Sequence, residues 1–260
     1  MKRSDLNTAL EIFISKIREK IEHQIITIMI YGSAVYNDLS PGYGDLDFLV
    51  ITKENLSDAI CSELIEVRKL LKSGNHGELV EMLEGAFLPI PMLNKNNSGQ
   101  GLWWGTSGER KIEKSNLGSF TPYVIKQDGI IIYGIDVKDS LIVPCEEELI
   151  DEILEFSKVV KKHGRGGELH SIDWLLMISR YLYWLRENKT TSKTHAALWA
   201  SENAYGQWKE SLQVALQLRK MPKLAKNKEY MKWLTNLTET IGSACLELDE
   251  ELTKKKRLEV

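Results

Sequence analysis

The pattern of hydrophobic residues changes near residue 145. Before that point, short apolar runs with many β-branched residues alternate with stretches of helical period, a pattern typical of strands and helices that share one core. After it, only the helical period continues. We therefore predict an α/β (α+β) domain over residues 1–145 and an all-α helical bundle over residues 146–260.

The same periods predict the individual elements. Strands are expected at 25–31, from residue 45, at 78–90 and at 129–133, and helices at 6–22, 34–37, 55–72, 121–127, 146–162, 168–187, 192–202, 206–220 and 228–252. The stretch 93–119 is rich in Gly, Asn and Ser, which predicts a loop. Trp103 and Trp104 lie in its middle. They either pin the loop to the body of the domain or stack on a sugar or a base.

The first predicted strand ends at two small residues, Gly32 and Ser33. A turn from a strand into a helix leaves backbone N–H groups unpaired, and these groups, with the helix dipole behind them, suit a phosphate. Gly32 lets the backbone approach the phosphate closely, and Ser33 adds a hydroxyl donor. The turn is therefore a candidate phosphate site.

A second apolar strand opens with two acids, Asp45 and Asp47. Residues two apart in a strand point to the same face, so both carboxylates face one place. Adjacent carboxylates repel each other unless a hard cation lies between them, and Mg²⁺ that carries substrate phosphates is the usual solution. We predict that Asp45 and Asp47 bind Mg²⁺, the alternative being an ordinary solvated strand end.

Three acids interrupt the predicted strand at 78–90. In a strand, Glu78 and Glu84 would lie on one face and Glu81 on the other. One interpretation is that a face of this strand is solvated, because burying a carboxylate without a partner costs free energy. The other is that a third carboxylate joins the two aspartates. For this role we favour Glu84 over Glu81, with Glu78 the least favoured.

Charge and cysteine content narrow the functional classes. The chain has 260 residues and a formal net charge of −3, so nothing indicates the basic face that a nucleic-acid partner would require. Its three cysteines form no metal-binding pattern, which fits a reducing cytoplasm. No stretch reaches the length of a membrane span. We expect a cytoplasmic monomer that binds neither nucleic acid nor membrane.

The motifs together resemble a known superfamily. Gly32-Ser33, followed after a loop by Asp45-Leu46-Asp47-Phe48-Leu49-Val50, resembles the nucleotidyltransferases of the polymerase-β type. Farther along, Ile178-Ser179-Arg180-Tyr181-Leu182-Tyr183 and Thr191-Ser192-Lys193-Thr194-His195-Ala196-Ala197-Leu198-Trp199-Ala200 resemble the helical domain of aminoglycoside adenylyltransferases, the subgroup that modifies streptomycin and spectinomycin. The resemblance implies a nucleotidyltransferase domain with a mixed sheet, followed by the helical bundle.

The resemblance also implies an activity and its residues. The enzyme would use Mg²⁺ to move AMP from ATP to a hydroxyl of a small acceptor, most simply an aminocyclitol antibiotic of the spectinomycin or streptomycin type. By position, Ser33 would hold the terminal phosphates and Glu84 would be the general base. Arg180 and Lys193 would be the two cations that reach the ATP phosphates. Without that role, Arg180 would be a helix-surface ion pair and Lys193 a solvated lysine in a first helical turn.

The acceptor is the least specified part. Group members that accept streptomycin carry an acid a few turns before the arginine, where this chain has Glu168 and, in the best alignment, His170. A lincosamide or other small-molecule nucleotidyltransferase would share every motif. A toxin–antitoxin partner that adenylylates a protein is a further alternative, although such proteins are usually shorter and lack the helical domain. An RNA-extending enzyme would require a basic channel, which the net charge argues against.

Overall fold

The computed structural model describes residues 3–94, 96–115 and 117–258. The chain divides into two compact units, Met1–Pro144 (unit 1) and Cys145–Val260 (unit 2). Unit 1 combines a sheet with helices, and the described part of unit 2 contains helices without strands. The predicted fold class is therefore confirmed.

Unit 1 is built on one mixed sheet. Its helices and strands are α1 (Arg3–Ile21), β1 (Ile25–Ile30), β2 (Leu46–Thr52), α2 (Asp58–Leu71), α3 (Glu78–Glu81), β3 (Leu83–Pro89), β4 (Ser98–Gly105), β5 (Gly108–Lys114), α4 (Phe120–Asp128) and β6 (Ile130–Gly134). The strands of the described residues form a six-stranded sheet in the order β5-β4-β3-β2-β1-β6. Strands β2 and β3 are parallel, and the other neighbouring pairs are antiparallel.

The central strands are apolar along their length because both faces of the sheet are covered. Phe48 and Val50 of β2 belong to the core that includes the buried side chains of α1 and α2. Leu49 and Ile51 belong to the core on the opposite face, together with Ile125 of α4. A strand that is buried on both faces reads as a continuous apolar run. This is why the strand after the aspartates could be predicted.

The segment 78–90, predicted as one strand, begins as a helix. Glu78 and Glu81 lie in α3, a single helical turn that is held to the core by the buried Val80, and the strand starts at Leu83. Both acids are exposed. The expectation that they lie on opposite faces of a strand is therefore wrong, because one turn is too short for its period to be read from sequence.

The stretch 93–119, predicted as a loop, contains the hairpin β4–β5. Two of its residues, Lys95 and Asn116, lie outside the described part of the chain. Trp104 anchors the hairpin, because it is fully buried and packs edge-on against three phenylalanine rings of the core. The glycines that suggested a loop serve close packing instead. A Cβ at Gly101 would lie 2.6 Å from a backbone oxygen of β3.

Unit 2 is a bundle of helices. These are α5 (Glu146–His163), α6 (Ile172–Glu187), α7 (Lys193–Asn203), α8 (Leu212–Lys220), α9 (Lys228–Thr235) and α10 (Leu237–Leu258). The single helix predicted at 228–252 is therefore two helices, which meet at Asn236. No helix in the described residues combines the length and hydropathy that crossing a membrane requires.

Candidate active site

The Gly32–Ser33 turn lies directly against the aspartates. Gly32 has a φ of 67°, and a Cβ at this position would collide with the Asp47 carboxylate. Backbone conformation and space therefore both require glycine. The hydroxyl of Ser33 donates a hydrogen bond to the backbone oxygen of Asp45 at 3.1 Å. This bond ties the turn to the residue just before β2.

The predicted helix at 34–37 is replaced by a tighter structure. Gly32–Ala34 form a single 3₁₀ turn, so the helix dipole expected behind the phosphate site contributes little. The turn offers a phosphate accessible backbone beside Asp47, because Gly32 has no side chain and the side chain of Ser33 is small.

The three predicted carboxylates lie at the N-terminal ends of two adjacent strands. In the parallel pair β2–β3, Asp47 is aligned with Glu84. Asp47 lies two residues before Leu49, and Glu84 two residues before Ala86, so each shares the face of that residue. This is the sheet face opposite α1 and α2. Asp45 precedes β2, two residues before Asp47, and all three carboxylate residues are half-buried. The structure thus brings the metal-binding and base candidates of unit 1 together.

The chemistry of these residues fits Mg²⁺. This ion keeps several water ligands and is usually bound through one or two carboxylates and the phosphates of a substrate, without a complete protein cage. Across the described residues, no group of three or more His, Cys, Asp or Glu side chains is arranged to hold a metal ion. Asp47, beside the space that Gly32 leaves, and Asp45, two residues before it, are therefore the carboxylates that would hold Mg²⁺.

Tyr31 lies next to the carboxylates, a position that sequence reasoning overlooked. Burial, and after it the negative charges of Asp47 and Glu84, raise the pKa of the Tyr31 hydroxyl well above its usual value. The phenol therefore stays protonated and keeps its O–H as a hydrogen-bond donor in this acidic region. The sequence indicated Tyr31 only as the end of an apolar strand.

Glu84 is contacted by the β4–β5 hairpin. Thr106, in the turn of the hairpin, donates a hydrogen bond from Oγ1 to Oε2 of Glu84 at 2.9 Å. Trp104 belongs to the core, and Trp103 is half-buried with the guanidinium of Arg110 5.9 Å from its ring centroid. The tryptophans thus pin the hairpin to the sheet, and Trp104 is too deeply buried to stack on a sugar or a base.

A buried arginine lies behind the carboxylates and was also overlooked. Arg68 of α2 is 2% exposed. Burial lowers the pKa of its guanidinium, while the negative charges of Glu109, Glu84 and Asp45 act in the opposite direction. A sequence signal for Arg68 existed, because it occupies the apolar face of a predicted helix. Thr106 carries no such signal.

The candidate cations of unit 2 have different surroundings. Lys193 begins α7, and its Nζ lies 2.5 Å from Oδ1 of Asp173. Lys193 is therefore an ion-paired, half-buried residue, which excludes the simple solvated lysine. Arg180 of α6 is also half-buried, with its Nη1 3.9 Å from Sδ of Met177.

A cavity of about 340 Å³ lies in unit 2, and Asp173 forms part of its wall. His170 belongs to the same wall, and its Nδ1 is 3.4 Å from Oδ2 of Asp173. Glu168 and Trp174 contribute a further acid and an aromatic surface. Arg165 also lines the cavity, so charged groups of both signs share it with an apolar wall, which suits a small polar ligand.

Two family comparisons match the chain. Residues 10–84 match the nucleotidyltransferase domain, and residues 143–242 match the aminoglycoside adenylyltransferase C-terminal domain. The spectinomycin 9-adenylyltransferase of Campylobacter jejuni is 27% identical over 194 residues, which cover 69% of this chain and 72% of that protein.

The fold matches a solved structure as well. The spectinomycin adenyltransferase AAD(9) from Enterococcus faecialis, crystallised with ATP and spectinomycin, has a TM-score of 0.70 to this chain. The match covers 93% of this chain and 98% of that chain at 22% sequence identity. At this identity the likeness concerns the fold, and it agrees with the predicted order of a sheet domain and a helical bundle.

Proposed function

Since the chain belongs to the aminoglycoside adenylyltransferases, we propose that it transfers AMP from ATP to a hydroxyl of a spectinomycin-type aminocyclitol. The observation that carries the proposed chemistry is the alignment of Asp47 with Glu84 beside Gly32. This arrangement combines a carboxylate for a metal ion, a carboxylate for a proton and space for a phosphate.

Unit 1 supplies the groups for the triphosphate. The backbone at Gly32, together with Ser33, would bind the terminal phosphates, and Asp45 and Asp47 would hold Mg²⁺. When bound, Mg²⁺ supplies positive charge that offsets the charge of the phosphates. Ser33 exchanges its bond to the backbone of Asp45 for one to a phosphate oxygen, or keeps that bond and contributes its backbone N–H.

Glu84 acts on the acceptor. The oxygen of the acceptor hydroxyl attacks the α-phosphorus in line, and a new O–P bond forms. The bond from the α-phosphorus to the oxygen that bridges to the β-phosphate breaks, and pyrophosphate leaves. Glu84 takes the hydroxyl proton as this happens, and it is half-buried where Asp47 is aligned with it.

Arg180 and Lys193 add positive charge for the triphosphate. A triphosphate requires several cationic partners, and unit 1 contributes backbone groups and carboxylates at its turn. Lys193 pairs with Asp173 at 2.5 Å, so its ammonium already has an anionic partner that a phosphate can replace.

The cavity in unit 2 is the proposed acceptor site. Its acids Glu168 and Asp173 suit the positive charge of an aminocyclitol. We favour spectinomycin over streptomycin because His170 occupies the position where the streptomycin-accepting members carry an acid. Both relatives described above are named for spectinomycin.

A product assay tests this function. The purified protein is incubated with ATP, Mg²⁺ and, separately, spectinomycin, streptomycin and a lincosamide, and the antibiotic mass is measured. We expect an AMP adduct of spectinomycin. Asp47→Asn should form none, while its thermal unfolding midpoint stays near that of the wild type, because the change removes a charge and keeps the shape. An adduct of the lincosamide alone would reject the acceptor class, and no adduct at all would reject the activity.

Three expectations from the sequence remain predictions. They are the cytoplasmic location, the monomeric state and the absence of a nucleic-acid partner. Light scattering of the purified protein tests the second, and a binding assay with duplex and single-stranded oligonucleotides tests the third.

A further inference from the structure

The turn of the β4–β5 hairpin is held on both sides by one side chain. Nη2 of Arg68 donates a hydrogen bond to the backbone oxygen of Gly105 at 2.9 Å, and its Nε lies 3.2 Å from Oε1 of Glu109. Gly105 ends β4 and Glu109 lies in β5. The guanidinium therefore contacts the hairpin one residue before and two residues after the turn residues Thr106 and Ser107.

Arg68 is buried where it contacts the hairpin, and its position requires an arginine. The side chain is 2% exposed, and its guanidinium carbon lies 5.7 Å from the ring centroid of Trp104. Nη2 is the nitrogen that makes a hydrogen bond, whereas Nε is within ion-pair distance of Glu109 without a hydrogen bond and Nη1 has no hydrogen-bond partner among the described residues, so these two contacts carry the buried charge. The planar fork of arginine can contact Gly105 and Glu109 at once, whereas the ammonium of a lysine presents a single point of charge.

The turn held by Arg68 carries the residue that contacts Glu84. Thr106 Oγ1 donates to Oε2 of Glu84 at 2.9 Å. We propose that Thr106, fixed in place by Arg68, is a positioning residue for Glu84. It occupies one carboxylate oxygen and leaves the other to accept the proton of the acceptor hydroxyl. This inference rests on the proposed function, in which Glu84 is the base.

Glu84 requires such a partner because its neighbour repels it. Asp47 is aligned with Glu84 on the adjacent strand, and two carboxylates this close move apart unless each has a partner. A glutamate has three side-chain torsions, so repulsion would turn it among several rotamers. The donor on Thr106 selects one of them, and a base displaced by about 1 Å can lose up to about 100-fold in rate.

A matched pair of variants isolates the hydroxyl. Thr106→Val keeps the shape and removes the donor, whereas Thr106→Ser keeps the donor. We expect Thr106→Val to lower kcat about 10-fold without changing KM for ATP, and Thr106→Ser to restore most of the rate. Ser107→Ala, in the same turn, is the control and should behave as the wild type. Wild-type kcat in Thr106→Val would overturn the proposal.

A double-mutant cycle identifies the partner of Thr106. In a Glu84→Gln background, adding Thr106→Val should cause no further loss of rate, because the base is already absent. The same 10-fold loss in that background would mean that Thr106 acts elsewhere, and the proposal would be wrong. If Glu84→Gln alone turns over normally, the base assignment itself fails. A slow Glu84→Gln with a normal Thr106→Val would reject the positioning role and leave the base assignment intact.

Arg68→Lys tests whether Arg68 fixes Thr106 in place. It keeps the positive charge and loses the fork, so kcat should fall about 10-fold and adding Thr106→Val should lower it no further. Thermal unfolding, followed in parallel, reports any general loss of structure. Additive losses in the double variant would separate Arg68 from Thr106 and overturn this part of the proposal.

Discussion

Three neighbouring residues make it possible for the carboxylates of unit 1 to lie close together. Gly32 leaves the space beside Asp47 that a side chain would fill. Tyr31 keeps a protonated hydroxyl close to the acids, and Arg68 places a positive charge behind them. At the scale of residues, space, a proton donor and a counter-charge together make it possible to concentrate three acids at the ends of two strands.

Glu84→Gln and Glu81→Gln form a matched pair. The amide at position 84 keeps the shape and cannot accept a proton, so turnover should drop by roughly 10²–10⁴-fold while ATP binding survives. Glu81 lies exposed in α3, outside the strand, so the same change there should leave the rate unchanged. Single-turnover assays of AMP transfer measure both. A silent Glu84→Gln with an inactive Glu81→Gln would reverse the assignment.

Lys193→Ala should weaken ATP binding about 10-fold or more, since it removes a charge-assisted contact to phosphate. Titration calorimetry with ATP and Mg²⁺ provides the measurement. The exposed Lys189, before the same helix, offers a control: Lys189→Ala removes an equal charge from the surface and should bind ATP as the wild type does. Unchanged affinity in Lys193→Ala would leave its pairing with Asp173 as a purely structural contact.

At the scale of elements, the sequence predicts what depends on local order. The strand after Asp47 and the helices of unit 2 are long enough for their periods to be read. The β4–β5 hairpin could not be predicted in this way. Glycines such as Gly101 and Gly105 are typical of loops, and Trp104 packs into a core formed by residues that are distant in sequence. The contact of Thr106 with Glu84 could not be predicted either, since it joins residues that only the hairpin brings together.

Two glycines test the packing of these elements in opposite directions. A Cβ at Gly85 would collide with the backbone oxygen of Phe48, so Gly85→Ala must separate β2 from β3. We expect it to lower the free energy of unfolding by about 2 kcal/mol or more. Gly242, in α10, has open space around its Cβ position, so Gly242→Ala should raise that free energy by about 0.5–1 kcal/mol.

Urea denaturation of both variants measures these changes. Because the two substitutions add the same methyl group, they differ only in the space available and in the secondary structure. Equal stability changes would contradict the β2–β3 packing. Gly85→Ala should also lose AMP transfer, since Gly85 adjoins Glu84 in the strand, whereas Gly242→Ala should keep it.

At the scale of the whole molecule, the proposed machinery is divided between two units. The carboxylates lie in unit 1, and Arg180 and Lys193 lie in unit 2. The order of the two domain types is confirmed by both family matches. It could be predicted because a change of hydrophobic period extends over many residues. The acceptor could not be derived in the same way, since the proposed acceptor cavity forms where the end of α5, the segment after it and the start of α6 pack together.

Unit 2 is stabilised by an ionic network across its helices. Nη2 of Arg186, in α6, lies 3.0 Å from carboxylate oxygens of both Glu247 and Glu251 in α10. Lys254 adds a contact to Glu251 at 2.8 Å, and the hydroxyl of Tyr205 donates to the same carboxylate. Because Glu247 and Glu251 are largely buried, these contacts offset the free-energy cost of removing the two side chains from water.

Acid should therefore weaken the protein through Glu251. Burial alone would raise the pKa of this carboxyl, but hydrogen bonds from Arg186, then from its other partners, lower it from the ordinary 4.5 to about 2. The folded protein thus binds the proton more weakly than the unfolded chain. Glu251 stabilises the fold above about pH 4.5, and its contribution, at most about 3 kcal/mol, is lost as the pH falls towards 2.

The free energy of unfolding, measured with urea at a series of pH values from neutral to acid, tests this dependence. The wild type should lose stability between about pH 4.5 and 2. Glu251→Gln should be less stable at neutral pH and lose less stability over that interval, because the amide replaces the carboxylate that would bind a proton. Glu250→Gln removes an exposed acid one residue away and should keep the wild-type slope. The same slope in wild type and Glu251→Gln would mean that the acid sensitivity of the protein arises from other carboxylates.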